Sequence, residues 1–101
     1  LQDLSPEQED PVWNMPLWDP YMRFIEASEG DLVNSAGVPG DLIYSALFLK
    51  SFLTEDTKGH TPDWMHFDCY AWEQSGKAGR PTGGADTGLR SVFKFLQERY
   101  G

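Results

Sequence analysis

The feature that most constrains this 101-residue chain is a helix without a polar face. Residues 42–53 place Leu42, Ile43, Ala46, Leu47, Phe48, Leu49, Phe52 and Leu53 around nearly the whole circumference of a helix, with Lys50 as the only charge. A helix that is apolar all round is buried all round. A chain of this size buries only about 60–70% of the surface its unfolded form exposes, and three helices with two short strands offer little material to cover every side. The expectation is that further protein, in a larger parent domain or an oligomer, packs on this helix.

The remaining elements follow from punctuation and period. Residues 1–12 carry Asp3, Glu7, Glu9 and Asp10 without a basic residue, together with Pro6 and Pro11, and read as an acidic lead-in or linker. From Trp13 onward, over residues 13–101, the texture is that of a packed domain. Asp19 can cap a first helix at about 20–27, with Pro20 in its first turn and Tyr21, Phe24, Ile25 and Ser28 on the inward face. A brief strand is expected at 31–34, between Gly30 and Gly37, and Asp41 is the expected cap of the apolar helix. Residues 64–72 alternate, with Met65, Phe67, Cys69 and Ala71 facing one way and Trp64, His66, Asp68, Tyr70 and Trp72 the other, which predicts a strand. Residues 73–85 read as a glycine-rich loop. Asp86 or Thr87 then caps a last helix that turns Leu89, Val92, Phe93, Leu96 and Tyr100 inward. The order helix-strand-helix-strand-helix is that of one edge of a layered α/β sheet.

Charge and composition exclude several classes of function. The net charge of -8 repels nucleic-acid phosphates and anionic lipid, so neither nucleic acid nor membrane is an expected partner. The sign is uneven, at +3 over residues 76–101 and -11 elsewhere, which reads as internal complementarity. The apolar stretch at 42–53 is shorter than the roughly 20 residues a membrane span needs. Cys69 is the only cysteine, and no secretory signal is recognisable, so a reducing, cytoplasmic setting is the default. A first residue of leucine in place of methionine points to a processed, excised or trimmed chain.

Four constellations could carry chemistry, and each has a structural reading beside it. His66 and Asp68 share a strand face and could bind a metal or exchange a proton, but a divalent site needs three or four ligands, and a buried pair in which the carboxylate orients the imidazole is the simpler expectation. Cys69 falls on the apolar face and is expected to be a buried, inert thiol. The loop from Gly76 to Gly84 with Lys77 and Arg80 could cradle an anion, yet it lacks the phosphate-loop spacing and reads as a loop shaped to neighbouring protein. Trp13, Trp18, Trp64 and Trp72 could form an aromatic cage, but core and interface anchors are the commoner use.

Taken in order, the motifs Trp13-x-x-Pro16-Leu17-Trp18-x-x-Tyr21, Asp31-x-x-Asn34, Ser45-Ala46-Leu47-Phe48-Leu49-x-x-Phe52, Trp64-x-His66-Phe67-Asp68, Gly79-Arg80-Pro81 and Gly88-Leu89-Arg90-x-x-x-x-Phe95-Leu96 resemble the end of the leucyl aminopeptidase family of di-metal peptidases. The resemblance implies that the chain is the C-terminal segment of a three-layer α/β/α catalytic domain. It also implies two divalent ions, zinc or manganese, a parent enzyme that removes N-terminal residues such as leucine from peptides, and assembly as a hexamer. The family's metal ligands and its Asn-Thr-Asp-Ala-Glu-Gly-Arg signature lie upstream of the matched region, so the resemblance places no catalytic or metal-binding residue here and leaves this segment inactive alone. What it carries over is a wall of the substrate pocket, at Asn34 and Ser35 and at Tyr70 and Ala71. The sequence departs from the family pattern at Cys69-Tyr70-Ala71, where many members read Ile-Ala-Gly, and at Glu29-Gly30, where an alanine commonly precedes the aspartate. Two classes of function follow: part of a metallo-aminopeptidase, whose partner is the remainder of the catalytic domain, or a non-catalytic binding or assembly module that keeps the fold.

Overall fold

In the computed structural model, which describes residues 1–27, 29–34 and 36–101, the chain divides into two units. One is Met15–His66, and the other joins Leu1–Asn14 to Phe67–Gly101.

In the first unit a 3-10 helix, Asp19–Phe24, begins with Pro in its first turn, where a missing N–H costs nothing. Trp18 occupies the cap position and makes no side-chain cap bond, so Asp19 is a first-turn residue rather than the expected cap. The helix is shorter than predicted because Ile25 leaves it, its N–H closing back on the Met22 carbonyl at 3.0 Å. The chain then reverses, and Glu26 forms a single antiparallel bridge with Leu32 while the Val33 N–H donates to the Ile25 carbonyl at 2.8 Å. That bridge is all that stands where a strand was expected at 31–34. The inward position expected for Ser28 lies outside the described residues.

Helix α1, Asp41–Lys50, starts from Gly40, whose φ of 102° is one that a side chain would disfavour. Asp41 is the first helical residue instead of the cap, and its charge still suits the positive end of the helix. The helix packs on the 3-10 helix. Tyr44 and Leu47 form the buried centre with Ile25, and Tyr21, Phe24, Leu32 and Phe48 pack around them. The Phe24 and Tyr44 rings meet edge to face, 6.1 Å between centroids, and the Tyr44 hydroxyl donates to the Val38 carbonyl at 2.6 Å. All-round burial is not met within this chain: Leu42, Leu49 and Phe52 are exposed on the far side. The one buried face is the one the short 3-10 helix can reach.

In the second unit β1, Trp72–Glu73, pairs antiparallel with β2, Gly83–Gly84, with Trp72 opposite Gly84 and Glu73 opposite Gly83. The hairpin is closed by a tight turn in which Lys77 and Arg80 exchange two backbone bonds of 2.8 Å and Gly79 supplies a φ of 74°. Residues expected as an irregular loop therefore form a small hairpin. The strand predicted at 64–72 contributes only Trp72 to a ladder. Alternation records that two faces differ but does not supply the neighbouring N–H and C=O groups a ladder needs. The order along the chain is thus 3-10 helix, α1, β1, β2, α2.

On helix α2, Leu89–Tyr100, most of the face expected inward is exposed: Leu89, Phe93, Leu96 and Tyr100 are exposed and Val92 is half-buried, while Ser91 is completely buried. The cause lies in residues 1–12. Their turns bury Ser5 and Asp10 and dock against the start of α2. No helix among the described residues is long and apolar enough to cross a membrane.

Candidate functional site

The residues singled out by sequence fall in different places. Tyr70 and Ala71 end the extended strap that leads into β1. The strap is pinned through its backbone: the Ala85 N–H donates to the Ala71 carbonyl at 2.9 Å, and the Thr87 hydroxyl donates to the Tyr70 carbonyl at 3.4 Å. The Tyr70 ring is left 69% exposed, with its hydroxyl accepting from Gln74 Nε2 at 3.0 Å. A fixed backbone carrying an exposed ring beside a small exposed residue is an arrangement that can shape a pocket wall. Asn34 is exposed and belongs to the Met15–His66 unit, one residue beyond the Val33 bond that ends the reversal. The expectation for Ser35 lies outside the described residues.

The other constellations are placed as follows. His66 is half-buried and its ring stacks on Trp64, 6.1 Å between centroids and 15° between planes, as two residues of one strand face can. Asp68 is exposed and is not the buried carboxylate expected to orient that imidazole. Cys69 is exposed, against the expectation of a buried thiol, because the face assigned to it has no sheet to pack on. In the glycine-rich hairpin Lys77 pairs with Glu73 at 3.6 Å and Arg80 with Asp86 at 3.2 Å. The Ser75 N–H holds the Glu73 carboxyl below its ordinary value against the opposing effect of burial, with the Lys77 charge adding to the lowering. The hairpin's cations therefore serve internal pairs. Trp13, Trp18 and Trp72 are exposed.

Among the described residues no group of three or more His, Cys, Asp or Glu side chains could hold a metal ion. The donors among the described residues do not fit the two divalent ions that the family resemblance implies.

The residue that sequence reasoning missed is Asp10. Gly88 precedes α2 with φ at 87° and has no side chain with which to cap the helix. Asp10, only 5% exposed, does so from the other end of the chain, its Oδ1 accepting from the Gly88 N–H at 2.8 Å and its Oδ2 from the Ser91 N–H at 3.2 Å. Ser91 Oγ donates to the Asp10 carbonyl at 2.7 Å, and Arg90 donates to the Gln8 and Glu9 carbonyls at 3.0 and 2.7 Å. Burial pushes the Asp10 carboxyl up, but the N–H groups of Gly88, Ser91 and Arg90 and the Arg90 charge outweigh it and hold the group below its ordinary value. Asp86 and Thr87, the expected caps, are engaged elsewhere, Asp86 with Arg80 and Arg90 and Thr87 with Tyr70. The available signal was Gly88 itself, since a helix that starts after glycine needs an acceptor from outside.

These features can be set against known proteins. Residues 1–93 match the catalytic domain of the cytosol aminopeptidase family, and the chain belongs to that family. It is 35% identical over 91 residues to a probable cytosol aminopeptidase of Syntrophotalea carbinolica, covering 86% of this chain and 17% of that protein. With the corresponding protein of Desulfotalea psychrophila it shares 34% identity over 90 residues, 87% of this chain and 17% of the other. The crystal structure of the cytosol aminopeptidase from Coxiella burnetii superposes with a TM-score of 0.84 at 36% identity, over 98% of this chain and 21% of that one. The chain thus spans about a sixth of the length of its curated relatives and corresponds to a C-terminal portion, with an α/β fold.

Proposed function

We propose that this chain is the C-terminal part of the catalytic domain of a metallo-aminopeptidase that releases N-terminal residues such as leucine from peptides in the cytoplasm. In this reading the remainder of the domain holds two divalent ions, zinc or manganese. The present segment contributes the pocket wall at Asn34, Ser35, Tyr70 and Ala71, together with surface for assembly as a hexamer. The observation that carries it is the superposition of nearly the whole chain on one stretch of a solved cytosol aminopeptidase. The exposed apolar groups of α1 and α2 support it, since Leu42, Leu49, Leu89 and Phe93 suit contact with further protein better than contact with water. The finer architecture proposed is one edge of a three-layer α/β/α domain, in which the strap at 64–71 becomes a strand once a neighbouring strand is present.

In that setting ions held by the remainder would supply the activation of the hydrolytic water. The work of this chain is to receive the first side chain of the substrate. The exposed Tyr70 ring, on a strap fixed at the Tyr70 and Ala71 carbonyls, sets how deep that side chain can enter.

The test is a chimera in which this chain replaces the matching segment of a family member. Hydrolysis of leucyl p-nitroanilide that depends on zinc or manganese is expected of the chimera and not of the chain alone. A folded, metal-loaded chimera inactive on leucyl and alanyl substrates would leave a binding or assembly module as the function, and activity of the chain alone would overturn the placement of the chemistry.

A further inference from the structure

Gly88 sits at a junction of three segments that are far apart in sequence. Ahead of it, Thr87 and Ala85 hold the carbonyls of Tyr70 and Ala71. Behind it, α2 begins with its first carbonyl, that of Gly88, accepting from the Val92 N–H at 3.0 Å. The N–H of Gly88 and that of Ser91 end on one carboxylate, Asp10.

We propose that Asp10 is a positioning residue that clasps the start of α2 and, through residues 85–88, fixes the backbone of Tyr70 and Ala71. Its consequence for substrate selection rests on the pocket reading above; the clasp itself does not.

Three observations carry the inference. The segment that delivers Asp10 is built to aim it, since Glu9 takes a φ of 51°, a conformation that non-glycine residues adopt rarely and that persists only when its surroundings hold it. The surroundings are visible: the Asp10 N–H donates to the Ser5 carbonyl at 3.2 Å, Ser5 Oγ accepts from the Val12 N–H at 3.1 Å, and Arg90 grips the carbonyls on either side of the turn. Second, the contact is buried on both sides, with Ser91 fully inaccessible, so water does not readily replace the carboxylate. Third, no local group is free to substitute, because Asp86 and Thr87 already have partners. The charged groups around the carboxylate are Arg90, which faces it from α2, Glu9 beside it in the turn, and Asp86, which shares Arg90 and pairs with Arg80.

The test is amide hydrogen exchange on the full 101-residue chain and on Asp10→Ala and Asp10→Asn. In Asp10→Ala the protection of Gly88 and Ser91 should fall by about tenfold or more, the scale of a lost helix cap, and that of Ala85 should fall with it. Asp10→Asn keeps one acceptor oxygen and should restore Gly88 more than Ser91. Loss at Gly88 and Ser91 with Ala85 unchanged would overturn the clasp, as would two amides already unprotected in the unmodified chain. Should Asp10→Ala fail to fold, the amide shifts of Gly88, Ser91 and Ala85 in the unmodified chain are followed against pH. A common titration below the ordinary aspartate range is expected; shifts that do not move, or that move at the ordinary value, overturn the proposal. The exchange of Ala85 judges the clasp, and the leucyl-to-alanyl preference of a Tyr70→Ala enzyme judges the pocket reading, so the two can fail separately.

Discussion

Replacing Leu47 by alanine tests how the first unit is held together, and Leu49 on the same helix supplies the control. Leu47 is 2% exposed among Ile25 and Tyr44, whereas Leu49 is 43% exposed. The substitution removes three carbon groups, each worth about 0.8 kcal/mol on transfer from water, or about 2.4 kcal/mol together. Every ~40 Å³ of cavity that the neighbours do not refill adds about 1 kcal/mol. The cluster is small and rests on a 3-10 helix that can settle inward, so partial collapse is expected and a total of about 3 kcal/mol follows for Leu47→Ala. Leu49→Ala leaves no cavity and should cost about 1 kcal/mol or less. With a urea slope near 1.5 kcal/mol/M, the first change lowers the unfolding midpoint by about 2 M and the second by well under 1 M. Tryptophan fluorescence in urea reads both. Equal shifts for the two variants would refute the one-sided packing described here. A large Leu49 effect that emerges only in the assembled parent would instead restore the all-round burial expected from the sequence.

Two further outcomes follow from the second unit. The folded state holds the Asp10 carboxyl below its ordinary value, so this group stabilises the fold above the unfolded carboxylate value near 4, and the stabilisation is lost as pH falls through the lowered value. Urea melts of the chain from pH 7 to pH 2.5 should therefore show an acid loss that Asp10→Asn lacks in part, and superimposable pH profiles would count against it. In the assembled enzyme Tyr70→Ala should favour leucyl over alanyl substrates by roughly 1–3 kcal/mol in relative kcat/KM, the usual worth of a few apolar groups in such a pocket. An unchanged ratio with folded protein would remove Tyr70 from the pocket wall.

Local signals were legible where the segment itself carried the cause. The long apolar run of residues 42–53 marked α1, and the period of 89–100 marked α2, because a helix makes its own backbone bonds. Strands fared worse, since alternation in 64–72 marks two faces but the partner of a ladder comes from elsewhere in a sheet. The direction in which a helix turns was legible only in part. Leu89, Phe93, Leu96 and Tyr100 do line one face of α2, but burial within this chain follows the partner that is present, and that partner docks on Ser91. The caps failed for a related reason: Asp41, and Asp86 or Thr87, are acceptors close in sequence, yet Gly40 and Gly88 occupy the cap positions, and for α2 the acceptor comes from 78 residues away. Of the residues proposed for a pocket wall, the placement of Tyr70 and Ala71 on a fixed strap could not be foreseen, because of the groups that fix it Ala85 sits in a stretch read as loop and Thr87 was read as a helix cap.

The joining of Asp10 to Gly88 also bears on the order in which the chain acquires its structure. The two halves of one unit are separated by the whole of the other, so Met15–His66 is an excursion that leaves and returns. Closing a loop of about 80 residues costs roughly 2 kcal/mol more than closing one of about 10, by some 0.6 kcal/mol for each doubling. The contacts between the 3-10 helix and α1 are short-range by comparison, and their prior formation shortens the chain that must still be closed. During synthesis the segment bearing Asp10 emerges before α2 exists, so its bonds to Gly88 and Ser91 form only after those residues have left the ribosome.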